Sequence, residues 1–187
     1  MTSYDALVLA GGSARRLGGI DKPGLVVGAA SLLEHVLAAV VGAERTIVVG
    51  PARATSRPVL WAREEPAGGG PVAALAAGLG HVTSDRVALL AADLPFLDAA
   101  TVQALVDAGG QGAMLVDDTG RDQVLTGAWS TSALRAALPE IVEGARLRDL
   151  FHQLDVRRIQ SDPTPGRPAP WTDCDTGEDL RLARAQA

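Results

Sequence analysis

Two short apolar runs constrain this chain more than any other feature. Ala6–Ala10 (ALVLA) is continuous and stops at Gly11-Gly12, and Arg86–Ala92 (RVALLAA) stops at Asp93. Runs of this length without polar alternation are typical of strands buried on both faces. Such a strand needs helices above and below it, which points to a mostly parallel sheet inside an α/β sandwich.

The intervening segments fit that expectation. Ser31-Leu-Leu-Glu34 reads as a capping box, with Leu33, Val36, Leu37 and Val40 at helical spacing behind it. Thr46–Val49 and Pro58–Trp61 are further strand candidates, and Pro71 can open a helix that Gly78 or Gly80 ends. Asp98 caps a helix reaching about Asp107, Ala113–Val116 reads as a strand, and Asp117–Gly120 has turn chemistry. Val124–Trp129 is an additional strand, Ser132–Glu140 and Leu147–Leu154 are helices, and Val156–Ile159 is an edge strand. Ser161–Pro170, with four prolines, is a loop, and Thr176-Gly-Glu-Asp179 opens a last helix to about Arg184. Strands alternating with helices predict an α/β fold, a three-layer sandwich around a mostly parallel, Rossmann-like sheet. No repeat or linker divides the chain.

Composition narrows the function classes. A length of 187 residues fits one domain, and 47% apolar residues suffice for a full core, although only three Trp, two Phe and one Tyr contribute to it. The 17 basic and 22 acidic side chains give a net charge of −5, which excludes a general nucleic-acid binder, since that needs a basic face. No apolar run reaches membrane-spanning length, and the first residues lack a basic n-region, so a cytoplasmic protein without membrane contact is expected. The single Cys174 cannot form an internal disulfide, and no Cys/His cluster has zinc spacing.

The loop after the first strand carries the strongest chemical signal. Leu9-Ala-Gly-Gly-Ser-Ala-Arg-Arg-Leu-Gly-Gly-Ile-Asp-Lys-Pro23 sits where a sheet of this class presents its ligand site. Paired glycines let backbone N–H groups approach an anion, and Arg15, Arg16 and Lys22 add positive charge. A phosphate cradle and an ordinary βα turn with solvated arginines both satisfy these residues. The string lacks GxGxxG, and Lys22 is followed by proline where a P-loop needs Ser or Thr. At other strand and loop ends, Asp93 reads as a metal ligand or as a turn carboxylate before Pro95. Asp175 reads as its partner or as a helix cap.

Taken whole, LAGGxxxRxGxxDKP resembles the signature loop of the MobA-like nucleotidyltransferases. That family includes molybdenum cofactor guanylyltransferases, cytidylyltransferase relatives and, more distantly, sugar-nucleotide pyrophosphorylases. The resemblance extends through Gly69-Gly70-Pro71, Ala91-Ala-Asp93-Leu-Pro-Phe96 and Trp171-Thr-Asp-Cys-Asp175-Thr-Gly-Glu-Asp-Leu180. It implies that residues 1–187 form one NTP-transferase domain. The implied reaction moves GMP from GTP to the phosphate of molybdopterin with release of pyrophosphate. It also implies Mg²⁺ held by Asp93 and Asp175, with Asp173 in support.

By the same resemblance Arg16 and Lys22 contact the triphosphate and Asp93 acts at the reacting centre. Leu9, Ala10, Gly11, Gly12, Lys22, Gly69, Gly70 and Asp93 line the nucleotide site. Arg15 has no counterpart and reads as a surface charge, while Asp21 either orients Lys22 or caps the loop. The second glycine after Leu-Ala is more typical of guanylyl than of cytidylyl members. The rivals are CMP transfer to molybdopterin, nucleotidyl transfer to another phosphorylated small molecule such as phospholactate, and a non-catalytic partner in cofactor handover. Contact with proteins that deliver or receive the cofactor is part of the family expectation.

Two departures bear on the acceptor. Arg121-Asp-Gln-Val124 stands where relatives often have Gln-Pro, and Gly177 replaces the usual proline. An anionic acceptor needs cations, and Arg121, Arg146 and Arg148 are candidates. Arg63-Glu64-Glu65 fits an acidic nucleotide-contacting position only loosely. His35, His81 and His152 have no acidic or nucleophilic partner in sequence and read as structural. Cys174 reads as a small buried hydrophobe, and Trp61, Trp129 and Trp171 as core residues before stacking platforms.

Overall fold

A computed structural model of the chain describes residues 2–11, 20–160 and 166–187. Gly12, Arg15 and Arg16 fall outside them, as do the first residues of the proline-rich loop.

The continuous apolar runs form the middle of a seven-stranded sheet. Its strands are β1 (Asp5–Leu9), β4 (Thr46–Val49), β5 (Leu60–Ala62), β6 (Arg86–Ala91), β7 (Gly112–Val116), β8 (Asp122–Ser130) and β9 (Val156–Gln160). They lie in the order β5-β4-β1-β6-β8-β7-β9. β1 pairs in parallel with β4 on one side and β6 on the other, with Leu7 opposite both Ile47 and Leu89. β8 runs antiparallel to β6 and β7, while β7 and β9 are parallel. The remaining strands, β2 (Val26–Val27) and β3 (Ala30–Ser31), make a separate hairpin.

Helices cover both faces, which is why β1, β4 and β6 read as unbroken apolar runs. On one face α1 (Leu32–Ala39) and α3 (Ala99–Asp107) pack over Ala6, Val8, Val48, Ala88 and Leu90. On the other, α2 (Pro71–Leu79), α4 (Thr131–Ala137) and α5 (Leu147–Phe151) cover Leu7, Ile47, Leu89, Met114 and Trp129. The result is the expected three-layer α/β sandwich.

The caps fall where side-chain chemistry places them. Ser31 accepts from the Glu34 N–H at 3.3 Å and Asp98 from the Thr101 N–H at 2.8 Å. α6 (Gly177–Gln186) opens with a full capping box between Thr176 and Asp179. α4 ends at Ala137 and α5 at Phe151, both short of the spans the sequence suggests. Pro139 cannot continue the first helix, and the residue before it, Leu138, is extended as proline requires.

The order of strands fixes where a ligand can sit. The chain leaves β1 for β4 and β5, then crosses back over the other face through α2 to β6. That reversal leaves a crevice outside the carboxyl ends of β1, β4 and β6. The hairpin and α6 close its outer side around Val27, Leu32, Cys174 and Leu180. Their packing brings the segment before α6 back beside β6.

Candidate active site

At the crevice the backbone ladder runs one step past the strands. The Ala10 N–H donates to the Val49 carbonyl (2.8 Å), the Ala92 N–H to the Leu9 carbonyl (3.1 Å) and the Gly50 N–H to the Ala62 carbonyl (3.0 Å). Gly50 is forced by this close approach. A Cβ there would stand 2.8 Å from the Ala10 carbonyl carbon, and its φ of 150° disfavours any side chain. Gly50 carries no motif, but its place directly after an apolar run is the signal that Gly11 also shows.

A cavity of about 800 Å³ opens over these strand ends. Leu9, Ala10, Gly11, Lys22, Gly70, Asp93 and Asp175 all line it, so the structure brings together seven of the residues that the sequence singles out. Gly69 does not line it. A Cβ on Gly69 would meet that of Ala73 at 2.8 Å, and the Gly69 carbonyl accepts from the Gly144 N–H at 3.0 Å. Its smallness serves the packing of α2 and of the 138–146 loop. Gly70, with φ of 94°, is the residue that turns the chain into α2 and presents that helix start to the cavity.

The polar centre of the site is Lys22. It opens a 3₁₀ turn, Lys22–Gly24, held by bonds from the Gly24 N–H to the Asp21 carbonyl (3.1 Å) and from the Leu25 N–H to the Lys22 carbonyl (3.0 Å). Its ammonium donates to Asp93, just past the end of β6, and to Asp175 Oδ1 at 2.5 Å, just before α6. Three segments far apart in sequence thus meet at one nitrogen. Burial disfavours the charged amine, but the Asp93 and Asp175 carboxylates outweigh it and raise the Lys22 pKa above its ordinary value.

Thr176 is the cap of α6, so Asp175 does not serve that purpose. Asp173 has its edge in solvent. Partial desolvation raises its carboxyl pKa, and the charges of Asp175 and Asp93 add to the rise. Cys174, between them, is fully buried, and desolvation pushes its thiol up to about 11.

Asp21 pairs with Arg53 at 2.7 Å rather than with Lys22. Arg53 also donates twice to the Pro51 carbonyl, at 3.3 and 3.2 Å. This cation ties the Lys22 turn to the loop after β4, and nothing in its sequence neighbourhood announces it. Arg63 and Glu64 line the cavity, with Glu64 Oε1 accepting from the Gly68 N–H at 3.2 Å. His35 binds the Val27 carbonyl at 2.8 Å and lies in the hairpin contact. Trp129 is buried in the core, stacked on Phe151 with ring centroids 4.0 Å apart.

Two carboxylates converging on one cation suit a hard divalent metal. Magnesium needs only one or two protein carboxylates when phosphates and waters complete its shell. Among the described residues no group of three or more acidic, His or Cys side chains is gathered for a metal.

Known proteins resemble this chain in sequence and in fold. The molybdenum cofactor guanylyltransferase of Bradyrhizobium sp. (strain ORS 278) is 30% identical, over 100% of this chain and 94% of the relative. The fold is that of molybdopterin-guanine dinucleotide biosynthesis protein A from Archaeoglobus fulgidus, at a TM-score of 0.72 and 20% identity, covering 97% of both chains. It is equally that of 2-C-methyl-D-erythritol 4-phosphate cytidylyltransferase from Thermus thermophilus, at a TM-score of 0.70 and 19% identity, covering 99% of this chain and 98% of the other. The fold alone therefore does not choose the base. The family model of the MobA-like NTP transferase domain matches residues 6–158, and the chain belongs to that family as a nucleotidyltransferase.

Proposed function

We propose that the chain transfers GMP from GTP to the phosphate of molybdopterin. An oxygen of the acceptor phosphate attacks the α-phosphorus, the bond to the bridging oxygen of the β-phosphate breaks, and pyrophosphate leaves with the bond's electrons. Both reactants are anionic, so the protein's task is to position them and neutralise charge. The carrying observation is the convergence of Lys22, Asp93 and Asp175 at the edge of a cavity large enough for a nucleotide.

Asp93 and Asp175 would hold Mg²⁺, which when bound supplies charge neutralisation on the phosphates. Lys22, kept protonated by its neighbours, supplies a fixed positive charge beside the α-phosphate. Arg16, from the glycine loop, would add a second. Gly11 and the start of α2 at Gly70 present backbone N–H groups to the nucleotide, while Ala10, whose N–H is held by Val49, lines the cavity wall. Gly68 leaves open space where a flat base can lie. Glu64, at the cavity wall, offers the acceptor oxygens that the N1–H and N2–H₂ donors of guanine require. A site built to satisfy such donors discriminates strongly against a base that lacks them. The guanylyltransferase relative supports the same choice of donor and acceptor.

The test is a panel of the four NTPs with Mg²⁺ and molybdopterin, scored by product mass and pyrophosphate release. The guanylylated product is expected. A majority of cytidylylated product from equimolar GTP and CTP would overturn the base assignment. Absence of pyrophosphate with every NTP would reduce the chain to a handover partner.

A further inference from the structure

A second, smaller cavity of about 170 Å³ lies between α5 and the β7-β8-β9 end of the sheet. Its floor includes Met114 and Phe151, and its wall carries Asp122, Arg148, His152 and Arg158. The Phe151 ring is held by its stack on Trp129. Asp122 takes Arg158 through two bonds, of 2.8 and 3.0 Å, which locks that guanidinium in place. Arg148 lines the same wall; its charge is felt by the Asp122 carboxyl, but that carboxylate's two bonds go to Arg158. The wall thus presents two guanidinium groups and an imidazole against one carboxylate, in a protein whose net charge is −5.

The two cavities are neighbours across β8. Along that strand Gln123 pairs with Leu115 of β7 and Gly127 with Met114, so 124–126 bulge away from β7. Val124 lines the small cavity and Leu125 the large one. Both lie on the face covered by α2 and α5. In the large cavity, Gly50, Gly68 and Gly70 are on the β4 side and Asp93 is at the end of β6. β8 is the neighbour of β6, so an acceptor that spans the two cavities from the Asp93 end of the site passes over Val124 and Leu125.

We propose that the small cavity is a second anion subsite, which receives a negatively charged group of the acceptor remote from its reacting phosphate. The proposal rests on reading the chain as a transferase to a phosphorylated acceptor. A volume near that of a benzene-sized hole holds a group of several heavy atoms, such as a phosphate, a carboxylate or an oxyanion on a heteroatom. Arg148 is its principal ligand, with Arg158 and His152 beside it.

Steady-state kinetics with GTP and molybdopterin in Arg148→Ala and Arg148→Glu tests this. Removing one charge-assisted bond raises the acceptor KM about tenfold to a hundredfold, with more loss for Glu than for Ala and an unchanged GTP KM. Arg148→Lys restores part of the loss. Equal acceptor KM in wild type and Arg148→Glu overturns the subsite. A second measurement is independent of turnover: the Arg148 side-chain ¹⁵N resonance is followed as inorganic phosphate is titrated in. A saturable shift at millimolar phosphate that is absent for exposed Arg181 supports the subsite even if molybdopterin proves not to be the acceptor. No shift overturns it, whatever the acceptor.

Discussion

Lys22 is the residue on which the site turns. Its ammonium holds two carboxylates that would otherwise repel each other across the cavity edge. Its pKa is raised, so the charge and its stabilising effect are present throughout the neutral range. They fade only as pH climbs through the raised folded-state value, above the ordinary 10.5. Lys22→Ala is expected to lower kcat/KM by roughly two to four orders of magnitude, the effect of removing a preorganised cation at the reacting centre. Lys22→Arg should recover a fraction, because a wide planar fork cannot sit between Asp93 and Asp175 as a point charge does. A loss below about threefold for the alanine variant, with an unchanged circular dichroism spectrum, would return Lys22 to a structural role. Cys174 illustrates the opposite environment. Its thiol pKa lies near 11 in the fold against 9.0 in an ordinary setting, so ionisation opposes folding once pH passes about 9. Urea midpoints should therefore fall more steeply between about pH 9 and 11 in wild type than in Cys174→Ala. At pH 8 the native thiol should not react with Ellman's reagent until the protein unfolds.

At the scale of elements, the fold was legible wherever burial writes itself into composition. β1, β4 and β6 show as apolar runs because both faces are covered, and Ser31, Asp98 and Thr176 show as caps because orphan N–H groups need short acceptors. The β2-β3 hairpin was not legible, since two-residue strands leave no period to read. Strand direction was equally hidden: Val124–Trp129 reads as a strand but not as the antiparallel member, and its bulge carries no sequence mark. The site follows the same rule. Lys22, Asp93 and Asp175 stand out because each ends or precedes an element within a family motif. Arg53 does not, because its role exists only through the fold that brings Asp21 to it. Arg53→Ala should therefore lower kcat more than it raises the GTP KM, as the Lys22 turn loosens, and Asp21→Asn should show the same signature. Additive losses in the double variant would break the link between the two loops. Thr176→Ala removes one half of a capping box and should cost about 1 kcal/mol in chemical denaturation. Since α6 also carries Asp175 to the site, kcat should fall along with stability.

Across the whole molecule, the strand order separates two tasks. The β5-β4-β1 side supplies the loops around Gly50 and Gly70, while the β8-β7-β9 side supplies Arg148 and Arg158. β6 lies between them and Asp93 stands just past its end, which makes that carboxylate the junction of the two halves. Ligand binding should therefore report through global stability in a way that depends on Asp93. A ligand that binds only the native state stabilises it by RT ln(1 + [L]/Kd), about 2.7 kcal/mol at a hundredfold excess over Kd. For a chain of this size that corresponds to a rise in Tm of roughly 5–10 °C. GTP with Mg²⁺ should produce a rise of that order in wild type, and GTP with EDTA a smaller one. In Asp93→Asn the EDTA value should persist while the increment from Mg²⁺ vanishes, because the amide still fills the space but cannot supply a charged oxygen. The Asn variant keeps the side chain's volume, so its own Tm serves as the control for folding. An equal Mg²⁺ increment in both proteins would remove Asp93 from the metal site and leave its carboxylate as a partner of Lys22 alone.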